Sequence, residues 1–352
     1  MRVLVLGDNT SFHTYRWFEA YKSAGFEVRA IGFEDGESLC ERLSPNGKGK
    51  LKYLLSIPKL KDVIRKYNPD LIHAQMAGNY GLMAYLTGKP YILSLWGPDV
   101  VESPFKSVLH KSMIKKIVKK AQIVHTDSHL VRWFLVKGFG VDPEKIVVFP
   151  FGISSKFFEY QVKKPIGEIN LISHRKLERL YGHDVILKAV KLLKERGIDF
   201  KLYIASFGSE EENLKRLALK LGIANMVVFT GKLNEDDLIT FLGKSHIFIS
   251  SAYSDTTPNS LLEAMALKVY PVLSDLPVYR EWVVDGLNGC YFKPGDDFDL
   301  ANKLEQVIKN LSKLENFLTI NRVIAENLAN WDKNFESFRN HLLILVQKGA
   351  IK

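Results

Sequence analysis

Short apolar runs and helical stripes alternate along this chain almost without interruption, and that rhythm constrains its fold more than any other feature. Val3–Leu6, Val28–Ile31, Leu71–His73, Tyr91–Leu95, Ile123–Thr126 and Ile146–Phe149 read as strands covered on both faces, because their apolar residues run on rather than alternate with polar ones. Between the first two, Trp17, Ala20, Tyr21 and Ala24 recur at the 3.6-residue period, and Gly25 supplies the left-handed stop. The rhythm starts afresh with Ile169–Ser173, Lys201–Ala205, Met226–Thr230, Ile247–Ser250 and Val269–Leu273. Helical stripes separate these strands too: Ile186, Ala189, Val190 and Leu193 before Gly197, and Leu214, Leu217, Ala218 and Leu221 before Gly222. Repeats of this kind build parallel sheets flanked by helices, with ligands at the C-terminal strand ends and in the groove between domains.

At 352 residues, 46% of them hydrophobic, the chain is long enough for two such α/β domains. The boundary is expected at Glu159–Glu168, which is polar, aperiodic and contains Pro165. The expected organisation is an N-terminal Rossmann-like domain over 1–160, a linker over 161–167, a second Rossmann-like domain over 168–325 and C-terminal helices over 326–352. Trp331, Phe335, Phe338 and Leu342 fall at near-helical spacing in that tail and predict packing back onto the first domain.

No apolar run reaches the ~18 residues of a membrane span, and Met1–Leu6 runs straight into Gly7-Asp8 without a signal-peptide pattern. A cytoplasmic protein is expected, peripheral to a membrane at most. Cys40 and Cys290 stand far apart with no His or Cys at ligand spacing, which supports neither a disulfide framework nor a zinc site. The net charge of +10 is unevenly placed: residues 1–165 carry 25 Lys and Arg against 15 Asp and Glu, residues 166–352 carry 24 against 24. Its densest part holds Lys106, Lys111, Lys115, Lys116, Lys119 and Lys120 with no acid. On a helix, Ile114, Ile117, Val118 and Ala121 form the inner face and Lys115, Lys116, Lys119 and Lys120 the outer one. That face reads as a solvated surface or as a contact for anionic lipid headgroups. No zinc-finger, RNP or basic-zipper pattern accompanies the charge, so no nucleic-acid partner is expected.

A dinucleotide-dependent oxidoreductase would place Gly-x-Gly-x-x-Gly after the first strand, where this chain has Gly7-Asp8-Asn9-Thr10-Ser11-Phe12-His13. The informative segment is instead Ser254–Ala266, after the strand Ile247–Ser250. Thr257 reads as an N-cap and Pro258 as a first helical residue, so that unpaired N–H groups at Asn259, Ser260 and Leu261 would form a diphosphate site. Glu263, one and a half turns in, suits ribose hydroxyls, and Asp255 before the helix suits sugar hydroxyls.

These residues resemble the retaining GT-B glycosyltransferases of family 4, also called glycosyl transferases group 1. Asp255 and Glu263 stand where that family carries Glu-x7-Glu; Ala264-Met265-Ala266, Tyr270-Pro271-Val272, Glu281 and Asp285-Gly286-x-x-Gly289 follow its donor-domain signature. Phe149-Pro150-Phe151-Gly152-Ile153, Leu171-Ile172-Ser173-His174-Arg175 and Phe229-Thr230-Gly231 extend the likeness over nearly the whole chain. The resemblance implies a GT-B architecture of two domains facing across a cleft. It also implies a nucleoside-diphosphate sugar bound mainly by the second domain, a glycan or lipid-linked acceptor bound mainly by the first, and retaining transfer with no obligatory cofactor or metal. Arg175 matches the diphosphate-binding arginine. The usual Lys-Gly is replaced by Leu180-Tyr181-Gly182, leaving Arg179 or Lys176 to supply a second charge, and Gly208 in Ser206-Phe207-Gly208 is the candidate for close backbone approach. On the acceptor side, Trp96 holds the place of a common histidine in Ser94-Leu95-Trp96-Gly97-Pro98-Asp99. Asp99 is the first candidate to orient or deprotonate the acceptor, with His73 and His13 as alternatives. The rival expectations are a catalytically silent binding protein of the same fold and a nucleotide-sugar epimerase.

Overall fold

Thirteen parallel strands in two sheets form the frame of the computed structural model, which describes residues 1–34, 40–43, 49, 51–255, 258–347 and 349, with residues 40 and 41 described by their backbone alone. The first sheet contains β1 (Arg2–Leu6), β2 (Glu27–Gly32), β3 (Cys40–Arg42), β4 (Leu71–Gln75), β5 (Tyr91–Leu95), β6 (Ile123–Thr126) and β7 (Ile146–Val148), in the order β3-β2-β1-β4-β5-β6-β7. The second contains β8 (Asn170–Ser173), β9 (Lys201–Ile204), β10 (Val227–Phe229), β11 (Ile247–Ser250), β12 (Tyr270–Ser274) and β13 (Cys290–Phe292), in the order β10-β9-β8-β11-β12-β13. Both sheets reverse direction of growth once, between β1 and β4 and between β8 and β11. Loops diverge there at the C-terminal strand ends and leave a ready crevice.

The continuous apolar runs are explained by burial on both faces. In β11, Ile247 and Ile249 enter one core cluster with Leu171, Val190 and Leu202, while Phe248 between them enters another with Ile172, Met265 and Leu273. Each such side chain, removed from water, contributes roughly 1.5–3 kcal/mol before the entropy of ordering it is counted. The lysine-rich segment is a helix, Val108–Lys120, capped by the Ser107 hydroxyl. Ile114, Ile117 and Val118 are buried and Lys115, Lys116, Lys119 and Lys120 are exposed.

The chain divides into one unit of Met1–Phe151 with Lys333–Lys352 and a second of Gly152–Asp332. The division therefore falls ahead of the polar stretch expected to carry it, and the physical reason lies in what that stretch does. Phe157 is buried in the second unit's core. Lys164 donates to the carbonyls of Leu242 (3.2 Å), Ser245 and Leu267 (3.0 Å), neutralising the carbonyl ends of two helices. Burial brings the Lys164 ammonium down to about 7. The second crossing falls between Asp332 and Lys333, in the first turn of the helix Trp331–Gln347; Phe335 and Phe338 of this helix pack edge-on to Trp17, at 5.9 and 5.0 Å between ring centres. Two short strands, β3 and β13, were not expected from the sequence. Cys290 is buried in β13, and the Cys40 side chain lies outside the described residues.

Candidate active site

In the second unit, three neighbouring strands, β8, β11 and β12, deliver polar side chains to the same C-terminal edge. Arg175 follows β8, Asp255 follows β11, and Tyr279 lies in the turn Pro277–Glu281 after β12. Arg175 Nη2 meets Asp255 Oδ1 at 2.9 Å, with both side chains almost buried. Arg175 Nη1 donates to Ser260 Oγ at 2.8 Å, and the guanidinium stacks 4.5 Å above the Tyr181 ring. Tyr279 Oη donates to Asp255 Oδ2 at 3.0 Å. Since that bond uses the phenol's one proton, the Ser250 hydroxyl, 2.9 Å away, must donate to Tyr279. Burial, and then the Asp255 charge, hold the Tyr279 phenol well above its ordinary value, so it stays a donor. Burial works against the charged Arg175, but Asp255 and the Tyr279 and Tyr181 oxygens outweigh it and raise its pKa.

The helix Asn259–Ala266 brings Ser260 and Glu263 to this edge. It opens one residue later than expected: Pro258, with ψ of 60°, is outside helical geometry and serves as the cap, its carbonyl accepting from Leu261 and Leu262 N–H. The Leu261 amide is thus already bonded and its side chain fully buried, which corrects the expectation of a free donor there. Asn259 Oδ1 is buried with no hydrogen-bond partner among the described residues. Thr257 lies outside the described residues. Glu263 Oε2 accepts from His174 Nε2 at 2.8 Å.

The two accessory donor-site expectations are placed differently. Arg179 is exposed and pairs with Glu210 at 3.3 Å. Gly208 permits a close approach, but to the protein itself: a Cβ there would stand 2.4 Å from Leu177 O. Gly182, in the left-handed region at φ 58°, fills a similar role beside Ser251 O, and the Ser251 hydroxyl lies 2.8 Å from the Tyr181 and Gly182 carbonyls. Tyr181, Tyr279, Ser250 and His174 are the site residues that sequence reasoning missed. His174 and Tyr181 stood in the motifs quoted for the resemblance without a role of their own, and for Ser250 and Tyr279 the only signal was position, at a strand end or in the turn beyond one.

In the first unit, His13, Trp96 and Asp99 come together. His13 stacks on Trp96 at 4.3 Å and meets the Phe151 edge at 4.4 Å. Burial, then Arg16, push its imidazole down to about 4. Asp99 is buried and accepts from Trp96 N (3.2 Å) and Ala77 N (3.0 Å). Burial raises its carboxyl to about 6 against those hydrogen bonds, so it holds a proton far more readily than an ordinary aspartate. His73 does not join them. His125 Nε2 lies 3.0 Å from the Phe149 carbonyl, which can only accept, so its Nδ1 accepts from Ser94 at 3.0 Å. Ser94 then accepts from His73 Nε2 at 2.8 Å, and His73 Nδ1 accepts from Tyr21 at 2.9 Å. The chain of protons runs one way through two neutral imidazoles. Burial brings His73 to about 3 and His125 to about 4, and both ring nitrogens of His73 are already bonded in the interior, which leaves none for an acceptor.

Among the described residues no group of His, Cys, Asp and Glu could hold a metal ion, and no helix is long and apolar enough to cross a membrane.

Comparison with known proteins adds two family matches: residues 156–322 fit the profile of "Glycosyl transferases group 1" and residues 2–128 that of "Glycosyl transferase 4-like". An uncharacterized glycosyltransferase of Methanocaldococcus jannaschii is 29% identical over 250 residues, 66% of this chain and 60% of that protein. A putative colanic acid biosynthesis glycosyltransferase of Salmonella typhimurium is 27% identical over 60% of this chain and 53% of its own length. The matches thus span between half and two thirds of these relatives. Among solved structures, sucrose-phosphate synthase from Thermosynechococcus elongatus superposes with a TM-score of 0.79 at 15% identity, covering 99% of this chain and 100% of that one. HepE of Anabaena, in complex with UDP and glucose, superposes with a TM-score of 0.77 at 16% identity over 98% and 100%. At such identities the structural likeness establishes the architecture, two α/β domains of the GT-B kind.

Proposed function

The chain belongs to the glycosyl transferases group 1 family, and from that membership we propose that it moves a sugar from a nucleoside-diphosphate sugar to a lipid-linked or polysaccharide acceptor, with retention of anomeric configuration. The observation that carries this reading is the Arg175–Asp255–Tyr279 cluster at the point where the second sheet reverses. A guanidinium fixed there by a stacked ring and a serine hydroxyl suits a leaving diphosphate, whose charge grows as the bond to the anomeric carbon breaks. Glu263, held by His174, suits the ribose, and Asp255 the donor sugar. The UDP and glucose held by HepE accord with a nucleotide-sugar donor.

In the proposed transfer, the acceptor oxygen bonds to the anomeric carbon as the phosphate oxygen leaves. The acceptor proton passes to that leaving oxygen or to Asp99, whose raised pKa suits it to hold one. Arg175 supplies the positive charge that a divalent ion would otherwise provide, so no metal or other cofactor is required. The exposed lysines between Lys106 and Lys120 suit an anionic membrane surface. Incubation with UDP-, GDP- and ADP-sugars and a membrane-lipid extract, with the product's anomeric configuration read by NMR, tests the reading. Retained configuration is expected; an inverted product would contradict the mechanism, and turnover abolished by chelator would contradict metal independence.

A further inference from the structure

Glu263 is held from one side only. Its Oε2 accepts from His174 Nε2 at 2.8 Å, and 20% of the Glu263 side chain is exposed against 3% of the His174 side chain. Glu263 makes no other side-chain hydrogen bond or ion pair among the described residues. His174 is wholly committed to that contact. It directly follows β8, and its ring lies tilted against Phe248 of the neighbouring strand β11, with 5.0 Å between ring centres. Its Nδ1 is buried with no partner among the described residues, so the bond to Glu263 is the ring's single polar contact. A carboxylate only accepts, so the histidine uses one lone pair of one oxygen and leaves Oε1 and the outer side of Oε2 to other donors. Ser260, three residues earlier on the same helix and hence on the same face, holds the Arg175 guanidinium at 2.8 Å. A cation for a diphosphate and a pair of acceptor oxygens for a diol thus lie one helical turn apart.

We propose that His174 is a positioning residue for ribose recognition: it fixes the Glu263 carboxylate in one orientation, with both oxygens set for the 2′ and 3′ hydroxyls, and so makes the site select nucleotides that carry the cis-diol. The inference rests on the transferase reading for the identity of the ligand and adds the group that sets the selection. An untethered glutamate would lose its side-chain freedom on binding, whereas a tethered one has already lost it on folding. Packing alone does not call for an imidazole here. A buried, unpaired Nδ1 is unfavourable, and an apolar ring beside Phe248 would avoid it; what the imidazole supplies is the donor to Glu263.

Calorimetric titration of the full chain with UDP, GDP and ADP, each beside its 2′,3′-dideoxy counterpart, tests this. The nucleotide that binds is expected to be preferred over its dideoxy form at least tenfold, about 1.4 kcal/mol. His174→Phe keeps a ring and removes the donor, and should bring that preference below about threefold by weakening the ribonucleotide while leaving the dideoxynucleotide unchanged. His174→Asn, too short to reach Glu263, should do the same. His174→Gln, whose amide nitrogen stands near the place of Nε2, should restore the preference. Affinity for the dideoxynucleotide reports the fold of each variant and its diphosphate site independently of the diol. A ribose preference that survives in His174→Phe and His174→Asn, or an equal loss of affinity for both nucleotides in these variants, would overturn the proposal and leave the transferase reading standing. Nucleotide binding by the intact chain with no ribose preference would likewise overturn this inference alone, whereas failure of the intact chain to bind any of the nucleotides would overturn the transferase reading and this inference with it.

Discussion

Each half of the molecule buries a run of polar side chains near its switch point, and the two runs are built on opposite principles. In the first unit, Tyr21, His73, Ser94 and His125 are neutral, every proton has one place to go, and the series ends on a backbone carbonyl. In the second, Arg175 and Asp255 are a charged pair at the sheet edge, held by groups that can each accept a substitute. A closed neutral chain stabilises one arrangement of strands and has nothing to offer a ligand. A buried ion pair, by contrast, gains little over the hydrated ions it replaces, so an incoming diphosphate can compete with Asp255 for the guanidinium. The difference separates a polar network that positions the fold from one that does chemistry.

Several substitutions break or sharpen this contrast. Arg175→Ala should have the largest effect, lowering turnover by about 10²–10³-fold if the guanidinium meets charge that develops as the diphosphate leaves. Steady-state release of nucleoside diphosphate measures it, and a loss confined to KM would assign Arg175 to ground-state binding. His125→Ala should act on stability, by about 2–4 kcal/mol, since it opens a cavity and removes the acceptor of the Ser94 hydroxyl. Urea unfolding reads the loss, and nucleotide binding by the second unit should be unchanged. Asp255→Asn distinguishes the two networks most sharply: relieved of its partner, Arg175 should bind nucleoside diphosphate several-fold more tightly while turnover falls. Weaker nucleotide binding in that variant would mean that the pair is a fixed scaffold.

The dependence on acid is read in the thermal midpoint rather than in activity. His13, His73, His125 and His183 all have native pKa values, about 3 or 4, below the unfolded value of 6.5. Between pH 6.5 and 4 the unfolded chain therefore binds more protons than the native one, and stability falls as pH falls through that window. Asp99 acts in the opposite sense, because its native pKa of about 6 exceeds 3.8; its contribution is complete below 3.8 and lost as pH rises through 6. With four histidines against one carboxylate, the thermal midpoint should drop on acidification. A midpoint that rises from pH 6.5 to 4 would contradict the neutral assignment of the histidines.

How far the fold was legible follows from the same physics. Continuous apolar runs such as Ile247–Ser250 signal strands covered on both faces, and β11 lies there with neighbours on both sides. β3 and β13 were missed because three residues, Cys-Glu-Arg or Cys-Tyr-Phe, carry no period of their own and owe their strand geometry to β2 and β12 beside them. The boundary was misplaced because polarity suggested a free linker at Lys164, whereas that lysine is bound to three helix-end carbonyls. At the candidate site, a capped helix with two acids pointed to Asp255 and Glu263, and the family resemblance pointed to Arg175. Spacing along the chain could not show that Arg175 and Asp255 meet at 2.9 Å, nor that Tyr279 joins them, since the three come from separate loops. His73 reads first as a core residue, and only its partners exclude a role toward the acceptor.

The central claim is that the edge around Arg175 and Asp255 is a nucleoside-diphosphate site. Calorimetric titration of the intact chain and of Arg175→Ala with UDP, GDP and ADP tests it most directly. One of the three should bind saturably to the intact chain and at least tenfold more weakly to the variant, a difference of about 1.4 kcal/mol. Folded protein that binds none of them, or a variant that binds as tightly as the intact chain, would contradict the account.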